Sequence, residues 1–79
     1  MFREEVTPVA LLLQRGRAWQ QEGKTFQAIA IYLRLMEYCP GTEEAARAQE
    51  ELLDIAQRLE VEGRVHQATH LYERLAEQW

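Results

Sequence analysis

The sequence is poor in residues that cross-link a chain or attack a substrate. Its 79 residues include one cysteine, Cys39, and no serine or asparagine. A single cysteine excludes an internal disulfide framework, and the lack of serine excludes a serine nucleophile. A domain of this size buries only about 60% of the surface that its unfolded chain exposes. We therefore expect a neighbour, either another copy or a partner protein, to supply part of its stability.

Basic residues and long apolar runs are also scarce. Nine Lys and Arg stand against 13 Asp and Glu, for a formal net charge of −4. This balance disfavours nucleic-acid binding, which needs clustered basic residues. The longest apolar run, Ala28 to Leu33, has six residues, whereas a membrane-spanning helix needs roughly twenty. Acids at Glu4 and Glu5 stand where a signal peptide carries basic residues. We predict a cytoplasmic protein with neither a nucleic-acid nor a membrane partner.

What the sequence does contain is an internal repeat with a period of forty residues. Residues 21–37 align without gaps with residues 61–77. Chance does not place so many identities in so short a window, so the alignment indicates an internal duplication. The identical pairs are Glu22/Glu62, Gly23/Gly63, Gln27/Gln67, Ala28/Ala68, Tyr32/Tyr72, Arg34/Arg74, Leu35/Leu75 and Glu37/Glu77.

The first repeat predicts two helices separated by a glycine. Thr7 is a good N-cap and Pro8 suits the first helical position, so the first helix begins there. Gly23 closes it, because glycine readily adopts the left-handed conformation that ends helices. The second helix is predicted from about Thr25 to Cys39, where a Pro-Gly pair breaks the chain.

The second repeat predicts the same arrangement. Thr42 caps the third helix, Gly63 ends it, and the fourth helix runs from about Arg64 to the terminus. No segment has a strand pattern, and short turns favour antiparallel neighbours. The sequence therefore predicts an all-α fold of four antiparallel helices in a single domain. Its parts are an N-terminal arm (1–6), a first repeat (7–40) and a second repeat (41–79).

Apolar residues recur at helical spacing in these segments and define the expected core. In the first helix they are Val9, Leu12, Leu13, Gly16 and Trp19. In the second they are Phe26, Ile29, Tyr32, Leu33 and Met36. In the third they are Leu52, Ile55, Ala56 and Leu59.

This pattern resembles the tetratricopeptide repeat (TPR), in which two helices cross at small residues and an aromatic fills the gap to the next helix. The matching positions are Gly16, Trp19, Gly23, Ala28, Tyr32 and Pro40, then Ala56, Leu59, Gly63, Ala68 and Tyr72. The period is forty residues here, against about 34 in most TPR proteins. The extra residues lie between Pro40 and Gly63, which predicts a third helix about a turn and a half longer than the first.

The stretch from Tyr38 to Ala46 is similar to the long-repeat branch of bacterial envelope-assembly proteins. The resemblance implies a fragment of a right-handed α-superhelix that serves as a protein-binding scaffold. It also implies that a partner peptide or helix binds the concave surface formed by the first helix of each pair. The residues expected in this groove are Leu13, Arg17, Gln20, Gln21, Glu50, Leu53, Gln57 and Glu60. The alternative is that these are ordinary solvated helix positions.

The fourth helix carries apolar residues on more than one side, and no helix follows to cover them. This pattern favours self-association, most simply as a homodimer, through Leu71, Leu75 and Trp79. Phe2 and Val6 of the N-terminal arm are expected to contribute. The alternative is a closed four-helix bundle with Trp79 packed inside.

The leading hypothesis is a non-enzymatic interaction module, an adaptor or assembly factor, that uses no cofactor. One alternative is a purely structural homo-oligomer without a groove ligand. Another is a metal-binding sensor or small enzyme using His66 and His70, which lie four residues apart on one helix face. Structural zinc requires four ligands and Cys39 lies on another helix, so no metal site is predicted.

Overall fold

Four α-helices, each ended by a local turn signal, make up the part of the chain that the computed structural model describes, residues 8–77. These helices are α1 (Pro8–Gln21), α2 (Thr25–Tyr38), α3 (Glu43–Val61) and α4 (Val65–Glu77). Consecutive helices pack against each other, and α3 also contacts α1. No strand occurs in this range, which confirms the predicted all-α fold.

Three sequence predictions fall outside the described residues. These are the Thr7 cap, the N-terminal arm of residues 1–6 with Phe2 and Val6, and the contact assigned to Trp79. No helix between residues 8 and 77 has the combination of length and apolar character needed to cross a bilayer.

The turn after α1 and the turn after α3 have the same hydrogen-bond pattern. At the first, the N–H of Gly23 donates to the Gln20 carbonyl at 3.0 Å, and that of Lys24 donates to the Trp19 carbonyl at 2.9 Å. The equivalent bonds around Gly63 measure 2.9 and 2.8 Å. This is the Schellman motif, and it requires a left-handed residue. Both glycines supply one, with φ of 80° and 85°, so the predicted helix ends are confirmed.

The predicted cap of α3 is also confirmed. The Thr42 hydroxyl oxygen accepts a hydrogen bond from the Ala45 N–H at 3.1 Å, and the hydroxyl donates to the Cys39 carbonyl at 2.8 Å. Glu43 and Glu44 occupy the first turn, where the helix dipole favours negative charge. The helix has 19 residues against 14 in α1, so the extra residues of the repeat lengthen α3 as expected.

The core runs along the inner sides of all four helices. Its largest fully buried side chains are Tyr32, Leu35, Leu52, Ile55 and Leu75. Every residue of the stripe predicted for α3 is buried, and the α1 stripe is buried or packed against the core. The expectation for Phe26 is wrong, because its side chain is 51% exposed. It stands at the edge of a groove between α2 and α4, two helices that do not pack directly on each other.

The closest contact between α1 and α2 is that of the Tyr32 ring with the backbone of Gly16. A Cβ built on this glycine would lie 2.5 Å from Cε1 and 2.9 Å from Cζ of the ring. Both residues are buried. The equivalent positions in the second repeat are Ala56 and Tyr72, and this second tyrosine is only half-buried. Ala56 is completely buried, so α3 carries a methyl group at the position where α1 has a bare backbone.

We predict that Gly16→Ala destabilises the protein. Alanine normally favours a helix interior over glycine by about 0.5–1 kcal/mol, but here its methyl group overlaps the Tyr32 ring. Overpacking of this kind costs about 1–3 kcal/mol, which outweighs the gain. The free energy of unfolding, measured by urea titration followed by circular dichroism, is expected to fall. In a Tyr32→Ala background the same change should stabilise. Equal or greater stability of Gly16→Ala alone would show that the ring does not depend on the bare backbone.

Candidate functional site

A polar groove of about 380 Å³ separates α1 from α3. Three of the residues predicted for the partner-binding groove line it on the α1 side, namely Arg17, Gln20 and Gln21. From α3 the groove is lined by Glu51 and Arg58. The fourth predicted α1 residue, Leu13, is instead part of the core, with 7% of its surface exposed.

The α3 half of the predicted groove does not share this space with the α1 half. The four predicted residues do not line the space facing α1; they are Glu50, Leu53, Gln57 and Glu60. The reason lies in the repeat itself. Gln57 and Glu60 are the equivalents of Arg17 and Gln20, which face the next helix pair, so the same positions on α3 face away from α1. The neighbouring residues Glu51 and Arg58 point back instead.

A hydrogen-bond network around Gln20 spans this polar groove. Its amide nitrogen donates to the Tyr32 hydroxyl at 2.9 Å and to Glu51 Oε1 at 3.2 Å, and its oxygen accepts from Arg58 Nη2 at 3.3 Å. This orientation of the amide gives every polar atom a complementary partner. Arg17 Nε lies 3.7 Å from Glu51 Oε2. One ion pair and the contacts of Gln20 therefore already occupy the polar groove, and a ligand would have to break them.

The second repeat contains the equivalent tyrosine pair in a more open setting. The Tyr72 hydroxyl donates to Glu60 Oε1 at 3.1 Å, as residue 32 pairs with residue 20 in the first repeat. Loss of solvation and then the hydrogen bond and negative charge of Glu60 raise the pKa of Tyr72. In residues 8–77 no further helix covers this pair in the way that α3 covers the first.

A second groove, between α2 and α4, is mainly apolar and also has a volume of about 380 Å³. Its lining consists of Phe26, Ile29, His66, Gln67, His70, Leu71 and Arg74. Sequence reasoning missed this apolar groove. The sequence does contain a signal for this groove. His66, His70 and Arg74 recur every four residues along α4, beside the apolar residue Leu71. Which face of α2 they oppose depends on helix rotation, which the spacing does not give.

Two residues predicted for self-association are instead taken up by the core. Leu71 is 3% exposed and Leu75 is completely buried. Neither has surface to offer a second copy while the chain keeps this fold, so that part of the prediction is corrected. Repeat symmetry explains it, because residue 75 is the equivalent of Leu35, which is also completely buried.

Among the residues of helices α1 to α4 and their turns, no group of three or more His, Cys, Asp or Glu is arranged to hold a metal. His66 and His70 do share a face of α4, where both line the apolar groove. Cys39 is partly buried at the end of α2, and its N–H donates to the Leu35 carbonyl at 2.9 Å. Its place is that of a helix-end residue.

Neither a family model nor a curated protein nor a solved structure matches this chain significantly. The resemblance to the TPR family therefore stays a prediction drawn from the residue pattern. Function has to be inferred from the two grooves and from the ends of the repeat array.

We predict that stability falls in alkaline solution as Tyr32 ionises. Burial, followed by the negative charge of Glu51, raises the pKa of Tyr32 to about 12, while Arg17 lowers it. The unfolded chain loses this proton near the ordinary tyrosine pKa of 10.0, so the folded state binds the proton more tightly. The contribution is complete below pH 10 and is lost as the pH rises to about 12.

Urea midpoints across that pH range are the measurement, with Tyr32→Phe as the comparison. The phenylalanine variant is expected to show a shallower alkaline decline, and the ultraviolet titration of tyrosinate should lose its latest step. Tyr38→Phe is the matched control, because this tyrosine is 72% exposed. Parallel declines in the wild type and Tyr32→Phe would rule out the assignment.

Proposed function

We propose that this chain is a non-enzymatic helical-repeat module of the TPR kind that binds an amphipathic segment of a partner protein. The observation that supports this is the apolar groove between α2 and α4. Phe26 is 51% exposed at its edge. The half-buried Ile29 adds apolar surface, while Leu71 closes the base of the groove. Serine, cysteine and carboxylates are absent from the lining, which favours binding over catalysis.

The apolar groove is a better binding site than the polar groove between α1 and α3. Burial of apolar surface contributes about 25 cal/mol for each Å² removed from water, and Phe26 has surface left to bury. The polar groove holds side chains that already satisfy one another, such as Gln20 and Glu51. A ligand there must displace those partners and leave charges less well solvated.

The rim of the apolar groove indicates the chemistry of the partner. His66, His70 and Arg74 project from α4 at intervals of four residues. The carboxylate of Glu37 stands at the Arg74 end, where Oε2 lies 4.0 Å from Nη2. Beside the two histidines the lining has no acid. This arrangement favours a helix that inserts a large apolar side chain and places a carboxylate against the imidazoles.

Two labelled helical peptides with the same leucine stripe test this proposal. One carries glutamates beside the stripe and the other carries lysines at the same positions. Fluorescence anisotropy is expected to show tighter binding of the acidic peptide to the wild-type protein. Phe26→Asp should weaken its binding tenfold or more, since it removes the apolar contact and adds a repelling charge.

Gln21→Asp is the matched control, because it adds the same charge at an exposed position in the polar groove. It is expected to leave binding of the acidic peptide within twofold of wild type. If Gln21→Asp weakens binding and Phe26→Asp does not, the polar groove is the site. If neither peptide binds, the proposal of a groove ligand is wrong.

A further inference from the structure

The two repeats carry equivalent residues, but their outer faces are unequally covered. Tyr32 is completely buried, while its equivalent Tyr72 is half-buried. Met36 is 6% exposed, whereas Ala76 at the same place in α4 is exposed. In the first repeat the cover is supplied by α3, which packs on both α1 and α2. The corresponding surface of α3 and α4, which includes Tyr72 and Ala76, has no such cover, and we call it the tail face.

At the opposite end of the molecule, α1 has an outer surface made of the equivalents of the residues with which α3 packs on the first repeat. Leu52 of α3 is completely buried, while its equivalent Leu12 is only half-buried on α1. Leu11, the equivalent of Glu51, is 53% exposed. Arg15, one turn further on, is also exposed. We call this outer side of α1 and α2, which includes Leu11 and Leu12, the head face.

An ion pair that joins the two repeats within one chain can also form between the tail face of one copy and the head face of another. Within the chain, Arg74 Nη2 of α4 lies 4.0 Å from Glu37 Oε2 of α2. The duplication places the same residue types at Arg34 and Glu77. A second copy set where a third repeat would stand brings its Arg34 to the Glu77 of the first copy.

The charge distribution selects this orientation over the others. Arg34 belongs to the head face and Glu77 belongs to the tail face, so the two members of the repeated pair lie at opposite ends of the chain. Head-to-head and tail-to-tail contacts cannot form this pair, because each brings together only one of its two members, whereas head-to-tail contact opposes unlike charges. Glu60 of the tail face then lies near Leu11 and Ala18 of the head face, the equivalents of Glu51 and Arg58 beside Gln20.

We infer that a second copy of the chain docks head to tail, with its α1–α2 pair seated on the tail face as α3 and α4 sit on the first pair. Such a contact is heterologous, so each copy leaves one face free and the array grows as an open chain. This differs from the closed homodimer expected from the sequence. It does not depend on the groove ligand proposed above.

The experiment uses two variants that each block one face. Leu11→Glu places a repelling acid on the head face, and Ala76→Arg places a bulky cation on the tail face. Both residues are exposed, so the fold is expected to persist, which circular dichroism checks. Light scattering of the wild-type chain should show a mass that rises past the dimer with concentration.

Each blocked variant alone should remain a monomer, because it keeps only one kind of face. An equimolar mixture should form a one-to-one dimer that grows no further, since one variant supplies the head and the other the tail. A wild-type chain that stops at the dimer, or a single variant that dimerises alone, would establish a two-fold contact and overturn the inference. A monomer at all concentrations would mean that something other than a second copy covers these faces, and would also overturn it.

A charge exchange gives a separate measurement. Arg34→Glu is expected to weaken association about two- to fivefold, in keeping with an exposed ion pair. The chain that also carries Glu77→Arg should regain the loss, because the exchanged pair forms again between copies. Arg47→Glu, an exposed change on α3 outside both faces, is the control. If association does not recover in the double variant, the ion pair between Arg34 and Glu77 does not form at the interface.

Discussion

The contact between the Tyr32 ring and the bare backbone of Gly16 is the constraint on which this structure depends. It sets how closely α1 and α2 approach, since any Cβ at residue 16 would overlap the ring. The glycine costs the helix stability, and the cost is offset by burial of the ring. The same ring carries a hydroxyl to Gln20, whose amide connects α1 to α3. One close approach therefore positions three helices.

The second repeat lacks this constraint, and in residues 8–77 no helix covers it as α3 covers the first repeat. Ala56 takes the place of the glycine, and the ring of Tyr72 is only half-buried. Glu60 replaces the amide of Gln20, so the tyrosine hydroxyl meets an ionisable group instead of a neutral one. Arrays of helical repeats gain stability from each added neighbour, and about three repeats are usually needed. With two repeats, a large share of the possible contact surface lies at the ends.

The parts of the fold that depend on neighbouring residues could be predicted from the sequence. The cap at Thr42 and the turns at Gly23 and Gly63 rest on local conformational preferences. The placement of Phe26 could not be predicted, because its exposure depends on the distance between two helices that are not consecutive. The α3 residues predicted for the partner-binding groove lie apart from the α1 residues for a related reason. Equivalent residues of α1 and α3 point in the same direction along the repeat. Residues of α1 that face the second repeat therefore have equivalents on α3 that face away from the first repeat.

The apolar groove and the two end faces are linked through the geometry of the repeat. Between two stacked copies, α4 of the first copy and α2 of the second have the same relative placement as α2 and α4 within one chain. His66 and Thr69 would then face Phe26, Ile31 and Arg34 of the following copy across a groove of similar kind. A partner with two binding segments would span adjacent grooves and gain from the high local concentration of the second site. Because it would bind the stacked form better than the single chain, it would also favour stacking, as linkage requires.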